Sequence, residues 1–400
     1  MPGIRAAHRR LARRFLLLCA SPGAKCTVSN VLLVGGGHAH VAVLADWARS
    51  GCPASRAALL TPEPTLRYSG MVPGWISGEH ALDDGIVDLA ALARAAGVDL
   101  VLDRCIAIDP AARSVLTMHS GLMEFDIASL DTGGVGNASA AFGHDPRLLD
   151  VRPISAFVER IGQVHARLTL DGRSDHLRLA VIGGGAGGVE LAFALNNWRG
   201  LDQRTNVILI AGESGLLPGF SAAVRGRVER ELERQSIALL PVDAWIEDGV
   251  LMAGEALVET DYMIAALGSG APDWPRSGGM AVDEEGFVAV DRYQRSISHP
   301  HILAAGDIAA RRDREVPHSG VHAVFAGPVL ARNLRDIMAG KAPSDIYRPR
   351  WNHLYLMSTG AGEAIASYGP LGAQGRWVSR LKTWIDKRWI ASYAAFGAQA

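Results

Sequence analysis

Residues 177–195 read LRLAVIGGGAGGVELAFAL. Leu179-Ala180-Val181-Ile182 is a continuous apolar run, as in a strand buried on both faces of a parallel sheet, and the Ala/Leu-rich stretch after Gly188 has the character of a helix. Between them Gly183, Gly185 and Gly188 satisfy the G-x-G-x-x-G fingerprint completely. Strand, glycine turn and helix come in this order for a physical reason. The first glycine permits the tight turn, the second lets backbone approach a pyrophosphate, and the third lets helix and strand pack closely, while the helix N-terminus offers unpaired N–H groups to negative charge.

The pattern also stands upstream, in VLLVGGGHAHV at residues 31–41, where Gly35, Gly36, Gly37, His38, Ala39 and His40 form the turn. Its third position is His40, so a large residue must fit where helix and strand approach. One such motif is weak evidence, but two in the same strand–turn–helix context are hard to obtain from glycine-rich loops, even with 45 glycines. His38 and His40 are two ligands short of a metal site, so no metal is expected; a hydrogen bond to pyrophosphate or to a neighbouring carbonyl fits them better. The ribose-binding acid expected about 20 residues after each fingerprint is out of its usual place. Thr61, with Glu63 beyond it, ends the first following strand; Gly212 and Glu213 follow the second. Glu213 without a nearby Arg favours NADH over NADPH.

The 400 residues suggest two or three domains, and 48% hydrophobic against 20% charged residues is a globular composition. A net charge of -1 gives no footprint for nucleic acid. The basic residues are almost all arginine, with lysine only at Lys25, Lys341, Lys382 and Lys387. Cys19, Cys26, Cys52 and Cys105 form no C-x-x-C pair, which argues against a disulfide framework, a zinc site or a thiol relay, and fits a cytoplasmic setting. Arg9, Arg10, Arg13 and Arg14 before the run Phe15 to Ala20 imitate a signal peptide, but the run is too short, so residues 1–28 read as a disordered or misassigned N-terminal extension.

Three further segments complete a layout. Residues 125–133 and 262–268 are short strands running to Thr132-Gly133 and to Gly268, and residues 301–307 form a third, closing in Gly306-Asp307. With the two fingerprints this order resembles the pyridine nucleotide-disulfide oxidoreductase superfamily, particularly type II NADH dehydrogenase-like flavoproteins and the group related to the oxidoreductase fused to selenophosphate synthetase. Val34 to Val41, Tyr68 to Gly74, Leu130 to Gly133, Gly320 to Val324, Gly327 to Leu334 and Trp384 to Lys387 carry the closer likeness. Phe325 and Ala326 depart from it, standing where that group carries Arg-Gln, and the Ala-Gln motif associated with quinone sites is missing there.

The resemblance implies an α/β fold with two Rossmann-like domains, one for FAD at 29–148 and 273–342, and one for NAD(P)H inserted at 149–272. A C-terminal region at 343–400 completes the chain. It further implies an FAD-dependent oxidoreductase that takes hydride from NADH (or NADPH) and passes electrons to a quinone or another small acceptor. A reductase of a soluble electron-transfer protein and a flavin-binding redox scaffold are the alternatives.

Asp307 is implied as the ligand of the ribityl chain, against the plain alternative of a strand-end turn. Glu190 is implied at the flavin–nicotinamide junction, where it would orient the carboxamide, against an acid merely favoured by the helix dipole. Ser69, Gly70 and Pro73 are expected in a loop that brings backbone to the flavin ring. His322 and Ala323 open a helix whose N–H groups would face the ring's pyrimidine edge.

From 376 to 396, Trp377, Val378, Leu381, Trp384, Ile385, Trp389, Tyr393 and Phe396 recur at three- and four-residue steps and share one helical face. Arg376, Arg380, Lys382, Lys387 and Arg388, against only Asp386, occupy other positions. Two readings stay open: peripheral contact with the inner face of the cytoplasmic membrane, or packing on the FAD domain or on a second subunit of a homodimer.

Overall fold

A computed structural model of the chain describes residues 30–170, 176–201, 204–349 and 352–396. The expectation for residues 1–28 lies outside them. Two five-stranded parallel sheets dominate, built to one plan. In the first, the strand order is Ile302–Ala304, Ile127–Leu130, Asn30–Val34, Arg56–Thr61, Asp99–Leu102. The second runs Leu148–Asp150, Tyr262–Ala265, Leu177–Ile182, Thr205–Ile210, Ala238–Leu240. Each glycine fingerprint follows the central strand of its sheet, and the runs that lead into the two turns, 31–34 and 179–182, are apolar and buried, as strands covered on both faces must be.

The correspondence extends to single hydrogen bonds. Gly35 N–H donates to Leu60 O and Gly183 N–H to Ile210 O, both at 2.8 Å; Asp131 N–H donates to Val34 O and Ala266 N–H to Ile182 O, again both at 2.8 Å. Each unit adds a three-stranded antiparallel sheet, at Cys105–Asp109, Ser114–Thr117 and Leu122–Glu124 in the first and Ala244–Glu247, Val250–Ala253 and Ala256–Val258 in the second. The chain leaves the first sheet after Ile127–Leu130, builds the second, and returns with Ile302–Ala304 beside the strand it left. Helix Gly320–Met338 then packs on helix His38–Ser50, and Gly327 permits the approach, since a Cβ there would lie 2.7 Å from the Cβ of Ala42.

The C-terminal region holds a three-stranded antiparallel sheet, Leu354–Ser358, Ala364–Tyr368 and Leu371–Gly375, that the sequence reading did not anticipate. Its strands are short and carry Gly and Ser, so they lack the β-branched enrichment that marks a strand. Helix Arg376–Ala394 follows directly. Val378 is fully buried, and Trp389, Ile390, Tyr393 and Phe396 pack on the core of the first unit. The helix therefore lies on the body of the protein. The periodic face needs correcting in two respects: Trp377 and Trp384 point outward, each 58% exposed, whereas Lys382 and Asp386, assigned to other positions as polar residues, are buried.

The second turn is so tight that a Cβ on Gly188 would lie 2.0 Å from Gly183 O, while one on Gly185 would meet nothing within 4 Å. Gly188→Val should accordingly destabilise the fold by about 3 kcal/mol, the upper end of ordinary overpacking, and Gly185→Val should leave it intact. Thermal unfolding of the two variants beside the parent checks this, and equal midpoints for all three would contradict the close approach.

Candidate functional site

Both glycine turns sit at the carboxyl ends of their sheets, where open α/β sheets bind ligands. Gly35 and Gly183 have φ of +97° and +131°, conformations that need glycine. In front of Gly185, Gly133, Gly268 and Gly320 a Cβ would meet nothing within 4 Å, so at these positions backbone is open to a ligand. Glu213 is exposed just past strand Thr205–Ile210, and its N–H donates to Asp243 Oδ1 at 2.9 Å. Thr61 is buried behind the first turn, where its hydroxyl would lie 2.9 Å from a Cβ on Gly36. Thr132 is exposed at the same edge.

His40 explains how the first turn dispenses with its third glycine. Its ring is fully buried, with Nδ1 2.6 Å from Gly35 O and Nε2 2.8 Å from Ser129 Oγ. A carbonyl only accepts, so Nδ1 carries the proton and Nε2 accepts from the serine hydroxyl. Burial holds His40 neutral, pushing its pKa down to about 4. Where the second unit brings Gly188 against Gly183 O, the first uses an imidazole hydrogen bond to Gly35 O. This is the neighbouring-carbonyl role expected of His40. His38, also pushed down to about 4 by burial, packs with Tyr68 and Trp389, and its Nε2 is buried without a hydrogen-bond partner.

Asp307 is held by two residues that follow strands of the second sheet: Arg152 Nη2 lies at 2.9 Å, and Ser269 Oγ donates at 3.0 Å. Gly306 adopts a φ of +71°, with Ala323 packed nearby. His322, in the first turn of helix Gly320–Met338, is 2.9 Å from the Tyr347 hydroxyl through Nδ1; burial first, then His353, pushes its pKa down to about 4.

Residues 68–74 differ from the expected loop. Ser69–Met71 is a 3₁₀ turn and Val72–Ile76 a short helix with Pro73 in its first turn, where a missing N–H costs nothing. This segment leads to a cluster that the sequence reading missed. Lys382 Nζ donates to Gly70 O at 2.9 Å and to Asp386 Oδ2 at 3.1 Å, and lies 3.9 Å from Glu190 Oε1. Ser358 N–H donates to Glu190 Oε1 at 2.9 Å, and the Ser358 hydroxyl donates to Glu79 at 3.0 Å.

Glu190 is thus bound to the C-terminal sheet and helix, beyond any simple helix-dipole role. Burial pushes its carboxyl above the usual range, Lys382 and the Ser358 N–H pull it back, and Asp386 and Glu79 push it up again. Burial by itself would lower the Lys382 ammonium, but Glu190 and Asp386 outweigh it and hold the lysine charged. Tyr68, stacked on Trp389 with ring centroids 4.8 Å apart, is raised by burial and by Asp386. The available signals were the four-residue spacing of Lys382 and Asp386, and a lysine kept in a chain that otherwise uses arginine.

Two matching dinucleotide-type units that share a buried acid–base cluster define a protein with two nucleotide-binding domains. The chain belongs to the pyridine nucleotide-disulphide oxidoreductase family, whose model matches residues 29–327. It is similar in fold to sulfide:quinone oxidoreductase from the hyperthermophilic bacterium Aquifex aeolicus, at 18% identity and a TM-score of 0.75, covering 92% of each chain. NDH2 from Plasmodium falciparum, solved in complex with NADH, matches at 14% identity and a TM-score of 0.72, over 90% of this chain and 97% of that one. The water-forming NADH oxidase from Lactobacillus brevis matches at 20% identity and a TM-score of 0.66, over 85% and 75%. No curated protein matches by sequence.

Replacing Lys382 by Met removes the cation and leaves buried carboxylates facing one another, which should cost about 3 to 5 kcal/mol. The double variant K382M/D386L should recover part of that loss. Chemical denaturation of both checks it; a K382M protein as stable as the parent would mean that the Lys382 cation does not stabilise the carboxyls around it.

Proposed function

We propose that this chain is an FAD-dependent NAD(P)H oxidoreductase that passes electrons to a quinone or another small acceptor. FAD lies along the first unit and the nicotinamide nucleotide along the second, with the domain limits given above. The observation that carries the reading is Glu190: it lies in the second turn of helix Ala186–Asn196, just past the second glycine turn, yet its carboxyl is tied to Ser358 and Lys382, and Lys382 reaches back to Gly70 of the first unit. This largely buried acid of the second unit is linked to the first through Lys382, which supports a junction where the two cofactors would meet.

The first site fits FAD on what the protein offers. Gly133 and Gly320 leave room for the cofactor, His38 Nε2 lacks a partner, and Asp307 stands at the strand end between Arg152 and Ser269. Gly35, Gly36 and Gly37 hold the pyrophosphate side, Ser69, Gly70 and Pro73 back the ring, and His322 and Ala323 present the helix terminus. Gly183, Gly185, Gly188 and Gly268 hold the nicotinamide nucleotide. Bound flavin supplies the hydride and electron chemistry. The protein positions and insulates. Glu190 Oε1 is engaged by the Ser358 N–H, so any proton it holds sits on Oε2, and burial raises its affinity for that proton.

NADH is the favoured donor. Glu213 and Asp243 stand together past strand Thr205–Ile210, where a 2′-phosphate would meet two acids. Neither cysteine among the described residues suits a thiol relay: burial pushes the Cys105 thiol up to about 12, and Cys52 is also raised by burial. The purified protein should be yellow and should bleach when mixed anaerobically with NADH, faster than with NADPH. Gly185→Val should remain yellow and resist bleaching, because its side chain fills the space a pyrophosphate needs. Flavin loss in that variant would show that the two unit assignments are exchanged.

Among the described residues no helix is long and apolar enough to cross a membrane. Peripheral contact with an anionic bilayer would use the outer face of helix Arg376–Ala394, where Trp377 and Trp384 are exposed beside Arg376, Arg380, Lys387 and Arg388. Changing Trp377 and Trp384 together to Ser should abolish sedimentation with anionic vesicles at low salt while leaving colour and bleaching unchanged. A parent protein that stays in the supernatant would assign the helix to packing or to a homodimer.

A further inference from the structure

The two glycine turns are equivalent in backbone and differ in one buried group. Behind the second turn stands Ala266, its carbonyl 2.3 Å from where a Cβ on Gly183 would be. The residue in the same place behind the first turn is Asp131, its carbonyl 2.4 Å from the Cβ position of Gly35. The Asp131 carboxyl is 2% exposed, and its Oδ2 accepts from His40 N–H at 2.8 Å. Its Oδ1 would lie 2.5 Å from a Cβ on Gly37 and 2.5 Å from one on Gly306. The acid is therefore wedged between the glycine turn and the Gly306-Asp307 turn, at the N-terminus of helix His38–Ser50. A cofactor pyrophosphate would approach that same terminus, and two anions would then share one water-poor corner.

The titratable groups nearest Asp131 are each paired or neutral. Asp307, facing from the opposite turn, is an acid paired with Arg152. The His40 ring is neutral and turned to Gly35 and Ser129, and His38 is also held neutral by burial. No cation bonds to Asp131 among the described residues; its partners are backbone N–H groups. Burial pushes its pKa up to about 7, the His40 and Ala39 N–H groups pull it down, and Asp307 pushes it up.

We infer that Asp131 is a positioning residue for FAD that holds the cofactor in its protonated form, so that FAD binding above neutral pH takes up one proton at this carboxyl. The inference rests on FAD occupying the first unit. The balance is simple: ionised Asp131, one proton and FAD give neutral Asp131 with FAD bound. Oδ2 goes on accepting from His40 N–H, and the proton resides on Oδ1. A third negative charge beside the pyrophosphate is thereby avoided. At the same place in the second unit Ala266 has nothing to titrate.

Serial dilution of the full-length holoprotein, with released FAD read by fluorescence, gives the dissociation constant from pH 6 to 9. It should weaken by about tenfold per pH unit above the Asp131 pKa and level off below it. Asp131→Asn, whose amide imitates the neutral acid, should be nearly independent of pH and should bind FAD more tightly than the parent at pH 9. Calorimetric titration of the parent at pH 8, in two buffers of different ionisation heat, should show uptake approaching one proton per FAD, a readout that needs no variant. A flavoprotein with no proton uptake, or whose pH slope survives in D131N, overturns the inference alone. A protein that takes up no FAD at any pH overturns both this inference and the flavin assignment.

Discussion

Lys382 places a positive charge where little water reaches it, and such a charge persists only if the protein replaces its hydration with close anions and carbonyls. Gly70 O, Asp386 and Glu190 do so, and each belongs to a different part of the chain: the segment after the first unit's second strand, the C-terminal helix itself, and the helix after the second glycine turn. One ammonium thus fixes three bodies relative to one another. If it were moved, Glu190 would lose the cation that moderates its proton affinity, and the backbone at Gly70 would lose the donor that holds it. The junction between the nucleotide units therefore depends on a helix at the far end of the chain.

The two units repeat one architecture and diverge at the places that touch charge. In the second, Gly185 is open and Gly188 packs directly on Gly183 O, and the place behind the turn is held by Ala266, which carries no polar side chain. In the first, His40 cross-links the turn to strand Ile127–Leu130 through Gly35 and Ser129, and Asp131 fills the space behind it. A turn stiffened by side-chain hydrogen bonds suits a resident ligand. An open turn suits one that arrives and leaves with each turnover.

The parallel sheets were legible because their signals are local. A doubly buried strand must be apolar along its whole length, and a dinucleotide turn needs glycine at fixed intervals, so the runs at 31–34 and 179–182 marked the two central strands directly. The helical form of Ser69–Ile76 was not legible, because Gly70, Pro73 and Gly74 speak for a loop, and the segment is held in helical turns by packing of Val72 and Ile76 on the second unit. The C-terminal sheet escaped for a related reason: strands of Gly, Ala and Ser take their form from their neighbours.

The C-terminal helix shows why pattern reading reached its limit at the site. Periodicity assigns a lysine and an aspartate four residues apart to the solvent side, since on most helices such a pair is a surface contact of small worth. What reverses the assignment here is the arrival of Glu190 and the Gly70 carbonyl from parts of the chain that no local window includes. With those partners the pair turns inward, and Trp377 and Trp384, which the same periodicity would bury, are left outside because the inward positions are already taken. A hydrophobic pattern ranks faces by transfer energy alone, whereas a site that must hold charge ranks them by electrostatic partners. Where the two rankings disagree, as at Lys382 and Asp386, the apolar pattern alone picks the wrong face.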